Sequence, residues 1–222
     1  MEKDIKKMNQ LNNSIKETFW SRFANDFEKL NNYVAGKKEM EYLKKKLSEK
    51  RELGNVLELG CGDGIFSKTI AQNADYLVAT DWSDEMIEAA KNNLGEMNSI
   101  KVQKENCFDL SFKDDNFDTV FMANLLHVIP EPEKALCECK RVLKANGRII
   151  ILSFTMHGMS FFNKIGMLYR YLKTYGKPPK QSRVLTVSNA KQMLEKEHFS
   201  IQQAELTGCK MKSVLVTAKN IK

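Results

Sequence analysis

The stretch VLELGCGDG, residues 56–64, joins an apolar run to a glycine-rich turn, as nucleotide-binding loops do. Glycines in such a turn let the backbone tighten and approach a ligand closely. Gly60, Gly62 and Gly64 are spaced GxGxG, and Ile65 stands where the dinucleotide fingerprint GxGxxG has its third glycine. The spacing therefore weakens the case for a pyrophosphate ligand.

Two acids near this turn could select the ligand. Glu58 lies inside the apolar strand just before the turn, where it would repel a phosphate but suit an ammonium group. Asp81 ends the next predicted strand, 21 positions after Gly60, where an acid can accept hydrogen bonds from both ribose hydroxyls. The alternative is that Asp81 only caps the following helix, but Ser83 is already placed to do so.

Composition limits the class of protein. The 222 residues, 42% hydrophobic and 28% charged, are typical of one soluble domain. No stretch approaches the ~20 apolar residues of a membrane span, and the first residues lack the apolar core of a secretory signal, so we expect a cytoplasmic protein. Five scattered cysteines predict reduced thiols and no metal site. A net charge of +7 falls short of a nucleic-acid signature, and no DNA partner is expected.

Strand and helix patterns alternate after a helical start. We predict an α/β fold, a Rossmann-like, doubly wound sheet of seven strands, mostly parallel, with an antiparallel C-terminal hairpin. The predicted strands are residues 55–60, 76–81, 100–106, 117–124, 147–154, 200–208 and 211–218. The predicted helices are residues 14–32, with a Ser14–Glu17 capping box, then 37–51, 63–73, 83–94, 131–144 and 187–198.

These elements predict a single domain of four segments. Residues 1–53 form an N-terminal helical cap and residues 54–154 the cofactor-binding core. Residues 155–183 form a lid over the substrate, and residues 184–222 the C-terminal helix and hairpin.

The chain resembles class I S-adenosylmethionine-dependent methyltransferases of the methyltransferase domain 11 or 25 type. VLELGCGDG resembles the first motif of that family, ATDWSDEMIEAAKNN the second, and NFDTVFMANLLHVI the fourth. EKALCECKRVLKANGRIIIL resembles the helix and strand behind the cofactor, with Ala145-Asn146-Gly147 where the family commonly has a proline–glycine turn. The resemblance implies S-adenosyl-L-methionine as cofactor and S-adenosyl-L-homocysteine as product.

The resemblance also assigns cofactor contacts at the methionine and ribose end. Gly60, Cys61 and Gly62 would pass under the methionine part, with Glu58 placing its amino group. Asp81 would hold the ribose.

At the adenine end, Trp82 and Met86 would flank the ring. Asn106 stands where the family often has an aspartate that accepts from the adenine amine, and its amide oxygen can accept the same bond. Cys107 and Phe108 would add backbone contacts and a wall for the ring.

Three further positions lie near the methyl group in this scheme. Asn124, at the end of the fourth strand, would lie beneath the methionine end. Phe27 stands where the family's N-terminal helix often carries a tyrosine over the cofactor. His127, just past the fourth strand, is the candidate general base, because a histidine can take a proton from a hydroxyl, amine or thiol near neutral pH. The alternative is that its ring only packs or orients the loop.

Residues 155–183 contain four lysines and two arginines but no Asp or Glu. Phe161, Ile165, Leu168 and Leu172 recur at helical spacing and predict an amphipathic helix. We expect a lid with an apolar inner face and a cationic rim, whose substrate contacts include His157, Phe161 and Tyr169. The alternatives are a packed helix with solvated lysines, an RNA-binding segment or a membrane-surface helix.

The function expected from these observations is methyl transfer to a small-molecule acceptor by in-line displacement, in a monomer or a homodimer. Three alternatives remain open. They are an RNA methyltransferase, a cofactor-binding protein without transferase activity, and a nicotinamide-dependent oxidoreductase on a similar sheet.

Overall fold

The computed structural model describes residues 19–222. Its strands are β1 Asn55–Leu59, β2 Tyr76–Asp81, β3 Ile100–Lys104, β4 Phe117–Ala123, β5 Leu143–Thr155, β6 Phe199–Thr207 and β7 Lys212–Asn220. They form one sheet in the order β3-β2-β1-β4-β5-β7-β6. The first five strands pair in parallel, whereas β7 pairs antiparallel with both β5 and β6. The predicted fold class is therefore confirmed.

The helices cover both faces of this sheet. They are α1 Phe27–Asn31, α2 Lys37–Ser48, α3 Ser67–Ala71, α4 Asp84–Leu94, α5 Pro132–Val142, α6 Phe161–Tyr175 and α7 Val187–Lys196. A 3-10 turn, Ala24–Asp26, precedes α1, and a π-helical turn, Asn32–Gly36, links it to α2. Within residues 19–222, no helix is long and apolar enough to cross a membrane.

Two apolar layers, one on each face, hold the helices to the sheet. Strand residues alternate between them, so Val56 and Phe121 pack with α2 and α3, while Leu57 and Val120 pack with α5 and α7. This alternation fixes the register of the strands, since a slip of one residue would exchange the two faces.

The N-terminal part of the chain differs from the single helix predicted over residues 14–32. Ser14 and Glu17, the predicted capping box, lie outside the described residues. From Phe19 onward, helical turns of different type follow one another, with turns at residues 22–23, before α2 begins at Lys37. Gly36 separates α2 from these turns, as predicted, and has a φ of 98° that favours glycine.

Several helices are shorter than their patterns predicted. The helix predicted over residues 37–51 ends at Ser48 and that over residues 187–198 at Lys196, and two others are shortened by the backbone beside them. The helix expected over residues 63–73 begins only at Ser67, because Gly62 and Gly64 have left-handed φ angles of 57° and 83°. The helix expected over residues 131–144 ends at Val142, because Leu143 is extended and starts β5 four residues before the predicted strand.

Asn220, at the end of β7, donates hydrogen bonds to carbonyl oxygens at the C-terminal end of α5. It is fully buried, and its Nδ2 donates to the carbonyl oxygens of Lys140, Leu143 and Lys144 at 3.3, 3.2 and 3.2 Å. Carbonyls at a helix end have no partner within the helix, so this amide replaces water for them.

We expect Asn220→Ala to lower the free energy of unfolding by about 1–3 kcal/mol, because the carbonyl oxygens of Lys140 and Lys144 lose a hydrogen-bond donor, whereas that of Leu143 keeps Lys222 Nζ at 2.8 Å. Urea unfolding would measure the change. Asn92→Ala on the exposed side of α4 is the control, expected to stay within about 0.5 kcal/mol of wild type. Equal stability of the two variants would contradict the assigned role of Asn220.

Candidate functional site

The turn after β1 has a backbone that only glycine adopts without strain. Gly60 and Gly62 have φ angles of 70° and 57°. A Cβ at Gly60 would lie 2.9 Å from Leu125 Cδ1, and one at Gly62 would lie 3.0 Å from Phe27 Cε1. These neighbours pack directly against the bare backbone, so a side chain at either position would displace them.

Asp81, at the end of β2, holds this turn. Its Oδ2 accepts from the backbone N–H of Gly62 at 2.9 Å, and its Oδ1 accepts from that of Ser83 at 3.0 Å. A carboxylate can accept about four hydrogen bonds, and Asp81 also lines a cavity beside the turn. Ser83 caps α4 through the N–H of Met86, as predicted. Asp81 thus supports the turn at the wall of that cavity.

A cavity of about 850 Å³ opens at the carboxyl ends of β1 to β5. This is the edge of an open parallel sheet where ligands bind, and the volume lies in the upper part of the roughly 300–1,000 Å³ range of small-molecule sites. Every predicted cofactor residue except Glu58 lines it. They are Gly60, Cys61, Gly62, Asp81, Trp82, Met86, Asn106, Cys107, Phe108 and Asn124.

The loop after β3 forms one end of the cavity. Asn106 Oδ1 accepts from the backbone N–H of Phe108 at 3.0 Å, which leaves one of its lone pairs. Burial raises the pKa of the Cys107 thiol to about 12, so this cysteine stays protonated at neutral pH. Trp82 is 40% exposed, and Lys104 Nζ lies 4.8 Å from the centre of its ring.

Asn124 and His127 follow β4 at the middle of the cavity. Asn124 adopts a φ of 56°, and its Oδ1 accepts from the backbone N–H of Phe154 at 2.8 Å. His127 Nδ1 lies 2.8 Å from Ser153 Oγ, and its carbonyl accepts from Arg183 N at 2.9 Å. Burial, and to a smaller degree Arg183, lowers the pKa of His127 to about 4. Its ring is therefore neutral at physiological pH.

Glu58 lies behind the glycine turn rather than in the cavity. It is 1% exposed and accepts from Ser67 Oγ at 2.6 Å. Burial raises its pKa to about 7, and the neighbouring Asp81 and Asp63 add to that rise, against the hydrogen bond from Ser67. A carboxylate in this position favours a positive charge nearby.

Asp63 is a second buried acid that the sequence analysis did not single out. Its Oδ2 accepts from the backbone N–H of Glu28 at 2.8 Å, which joins the glycine turn to α1. Burial raises its pKa to about 6. Its Oδ1 is buried and has no hydrogen-bond partner among residues 19–222. The signal that could have revealed it was the acid inside a turn of three glycines.

Aromatic rings close the other side of the cavity. Trp20 lies 6.2 Å from Phe27 and 5.6 Å from Tyr175, measured between ring centres, and Tyr171 lies 5.2 Å from Tyr175. All four line the cavity with their edges against one another's faces. Phe27 lies against Gly62, and its expected place over the cofactor stays a prediction.

His157, Phe161 and Tyr169, the other predicted substrate contacts, lie outside the cavity. His157 is exposed ahead of α6, and Phe161 and Tyr169 are 71% and 64% exposed. The reason is the rotation of α6, which turns a different row of residues inward. The α6 residues that line the cavity are Met167, Leu168, Tyr171 and Tyr175. Three of these recur every fourth residue, a spacing that could have identified them in the sequence.

Known proteins share both this fold and this sequence pattern. A family model of the methyltransferase domain matches residues 57–151. A demethylmenaquinone methyltransferase from Clavibacter sepedonicus is 36% identical over 100 residues, which are 45% of this chain and 41% of that protein. An uncharacterised protein from Methanocaldococcus jannaschii is 30% identical over 190 residues, 85% of this chain and 84% of its own.

The chain belongs to the S-adenosylmethionine-dependent methyltransferase family. A solved structure described as a SAM dependent methyltransferase from Aquifex aeolicus shares its fold, with a TM-score of 0.62. That match is 23% identical and covers 86% of this chain and 93% of the other. The matched segment spans less than half of the Clavibacter protein. Family membership decides against the nicotinamide-dependent oxidoreductase.

The residues of this methyltransferase fit S-adenosylmethionine, the cofactor of the family. The glycine turn lines the cavity without side chains at Gly60 and Gly62, so a ligand in the cavity can approach its backbone. Asp81 lines the cavity with a carboxylate, a group that can accept from two ribose hydroxyls. Behind the turn, Asp63, with a pKa of about 6, is mostly ionised at neutral pH, and a ligand carrying a sulfonium and an ammonium group would favour the ionised form of Glu58 as well.

The raised pKa of Glu58 makes stability depend on pH. The folded form holds its proton up to about pH 7, whereas the unfolded form releases it near 4.5. Stability from this group is therefore complete below about pH 4.5 and is lost as the pH rises to about 7. Glu58→Gln removes the titration, so its stability relative to wild type should rise by about 2–3 kcal/mol over that interval.

Urea unfolding of both proteins across this interval would measure the difference, which isolates Glu58 from other titrating groups. Glu88→Gln, at an exposed position of α4, controls for the loss of one negative charge. A difference between Glu58→Gln and wild type that does not change with pH would show that folding does not raise the pKa of Glu58.

Proposed function

We propose that this chain transfers a methyl group from S-adenosylmethionine to a small, largely apolar acceptor. The observation that carries the proposal is that one cavity holds both the glycine turn with Asp81 and the aromatic wall of Trp20, Phe27, Tyr171 and Tyr175. A cofactor and an acceptor in that cavity would share one water-poor space. The cytoplasmic location and the monomeric or homodimeric state stay predictions.

In this proposal the cofactor lies along the carboxyl ends of β1 to β4. The glycine turn supports its methionine part, Asp81 accepts from its ribose, and the loop after β3 surrounds its adenine. Glu58 contributes charge from behind the turn. The proposed cofactor residues are Glu58, Gly60, Cys61, Gly62, Asp81, Trp82, Met86, Asn106, Cys107, Phe108 and Asn124.

When bound, S-adenosylmethionine supplies a methyl group on a positively charged sulfur, which is already a good leaving group. The residues of the chain therefore contribute mainly alignment and exclusion of water. Positioning alone can supply roughly 7 kcal/mol. The aromatic wall presents ring edges and faces to an acceptor with few polar groups. Phe27 packs over Gly62, between the part of the cavity proposed for the cofactor and the part proposed for the acceptor.

His127 is the proposed base for an acceptor that must lose a proton. Its neutral ring can present Nε2 as an acceptor when Nδ1–H donates to Ser153 Oγ, 2.8 Å away. In that arrangement the Ser153 hydroxyl donates to the carbonyl of Phe154 at 3.4 Å. Ser153 is then a positioning residue that fixes the tautomer.

Transfer and cofactor binding test the proposal together. Purified protein with methyl-labelled S-adenosylmethionine should move label into the solvent-extractable fraction of a cell extract, rather than into its RNA or its small polar metabolites. Asp81→Asn should weaken cofactor binding in calorimetry by about 10–100-fold, because a neutral amide replaces the carboxylate hydrogen bonds. Glu88→Gln, which replaces an exposed acid by its amide, should bind as wild type does.

Three outcomes would contradict the proposal. Label in RNA would establish the alternative of an RNA methyltransferase. Tight cofactor binding without transfer to any fraction would establish a binding protein without transferase activity. Unchanged affinity of Asp81→Asn would remove Asp81 from the site.

For His127 we expect His127→Ala to lower kcat by about 100-fold or more, within the range of general-base contributions. Wild-type kcat/KM should stay constant between about pH 6 and 8 and fall only below about pH 5, since a base with a pKa of about 4 is neutral until then. His198→Ala, at an exposed position, is the control and should change neither quantity. An acid limb near pH 6.5 would contradict the lowered pKa of His127 or its role as the base.

A further inference from the structure

The outward side of α6 is apolar. Six large side chains on it are exposed by 44% to 83%, and we call them the outer face of α6. At 3.6 residues per turn they fall within a sector of about 120° along a helix roughly 22 Å long. They are Phe161, Phe162, Ile165, Leu168, Tyr169 and Leu172.

The opposite side of α6 is firmly attached to the protein. Met167 and Tyr175 are 7% and 4% exposed, and Tyr171 packs against the same apolar layer. Arg170 Nε donates to the carbonyl of Val34 at 3.1 Å. The helix therefore cannot roll to bury its outer face without losing these contacts.

Positive charge borders the outer face of α6 on both sides. On a helical projection, Lys164 lies beyond one edge of the apolar sector and Lys173 beyond the other. Lys177 and Lys180 follow in the next loop, and all four lysines are exposed. Residues 155–183 include no acid to oppose them.

We propose that the outer face of α6 docks on the surface of an anionic phospholipid bilayer. An apolar sector bordered by lysines is the pattern of a helix that lies in the membrane interface, with its apolar side among the acyl chains and its cations at the headgroups. With 15 residues, α6 is too short to cross the bilayer.

Two other occupants fit this surface less well. A symmetric contact with a second copy would bring the outer faces together and place Lys164 and Lys173 of both copies close to one another. An RNA strand would find stacking partners only in three aromatic rings, because the other half of the face is aliphatic.

Docking would also bring the cavity to the bilayer, and this part rests on the proposed function. Leu168 belongs both to the outer face of α6 and to the lining of the cavity. Lys180, in the loop after α6, lines the cavity as well. A lipophilic acceptor dissolved in the membrane could then enter the cavity without crossing water.

Vesicle sedimentation tests the docking without cofactor or acceptor. We expect the full chain to bind phosphatidylcholine vesicles with about 30% phosphatidylglycerol, to bind pure phosphatidylcholine vesicles much less, and to bind less as salt rises from about 0.1 to 0.5 M. Phe162→Gln with Ile165→Gln should lower the partition coefficient at least tenfold, because the bound protein would lose two apolar side chains that enter the bilayer.

Matched variants separate the outer face of α6 from general effects. Ile221→Gln removes an isoleucine that is 60% exposed at the other end of the chain, and it should bind as wild type does. Lys164→Glu with Lys173→Glu should abolish binding to anionic vesicles. Lys68→Glu with Lys91→Glu changes the net charge equally at exposed helix positions and should reduce binding far less.

Several results would overturn the inference. Wild-type protein that stays in the supernatant would do so, as would α6 variants that sediment with vesicles as the wild type does. Loss of vesicle binding in the Ile221→Gln control would overturn it too. A dimer by analytical ultracentrifugation that Phe162→Gln converts to monomer, without vesicle binding, would assign the face to a second copy. Salt-sensitive RNA binding lost in the same variant, without vesicle binding, would assign it to RNA. Membrane binding without methyl transfer would leave docking intact and reject only the proposed function.

Discussion

The left-handed turn at Gly60 and Gly62 is the constraint around which the site is arranged. The turn lies where β1 ends, and Asp81 at the end of β2 accepts from the N–H of Gly62, so two neighbouring parallel strands fix one loop. Leu125, from the loop after β4, and Phe27, from the N-terminal cap, occupy the space that side chains at the two glycines would need. Four parts of the chain thus meet at a backbone without side chains.

Buried acids behind this turn link stability to ligand chemistry. Burial raises the pKa of the carboxyl groups of Glu58 and Asp63. Ionising either group therefore lowers the stability of the ligand-free protein. Asp63 also receives the N–H of Glu28 and so connects the turn to α1. A cationic ligand would offset the cost of both acids, and the same acids would exclude a phosphate. The choice of ligand charge is therefore set from behind the loop as well as in the cavity.

Patterns within one element were enough to predict most of the fold. The apolar runs of β1 and β2, the Ser83 cap of α4 and the closing hairpin depend on neighbouring residues, and they were found where expected. The start of α3 was missed because the glycine turn delays the helix, a backbone effect that apolar spacing does not record.

Contacts between distant segments were harder to infer. The apolar stripe of α6 was expected to face inward, yet Phe161 is 71% exposed, while Tyr175 packs on Trp20 and Tyr171 packs on Tyr175. Which side of a helix is buried depends on what lies beneath it, and the cap that receives α6 is more than a hundred residues away in the chain. The buried position of Ser153 beside His127 likewise joins β5 to the loop after β4, two segments that no local pattern relates.

The position of β7 has a consequence for synthesis on the ribosome. Of the seven strands it is made last, yet it lies inside the sheet, with β5 and β6 on either side. Until it emerges, β5 presents an unpaired edge that includes the run Ile149, Ile150, Ile151 and Leu152, which pairs with β7 in the finished sheet. Such an edge is a template for pairing with other chains. While the ribosome adds the roughly sixty residues between β5 and the end of β7, this apolar edge of β5 stays unpaired. Chaperones that bind extended apolar segments would act during that interval.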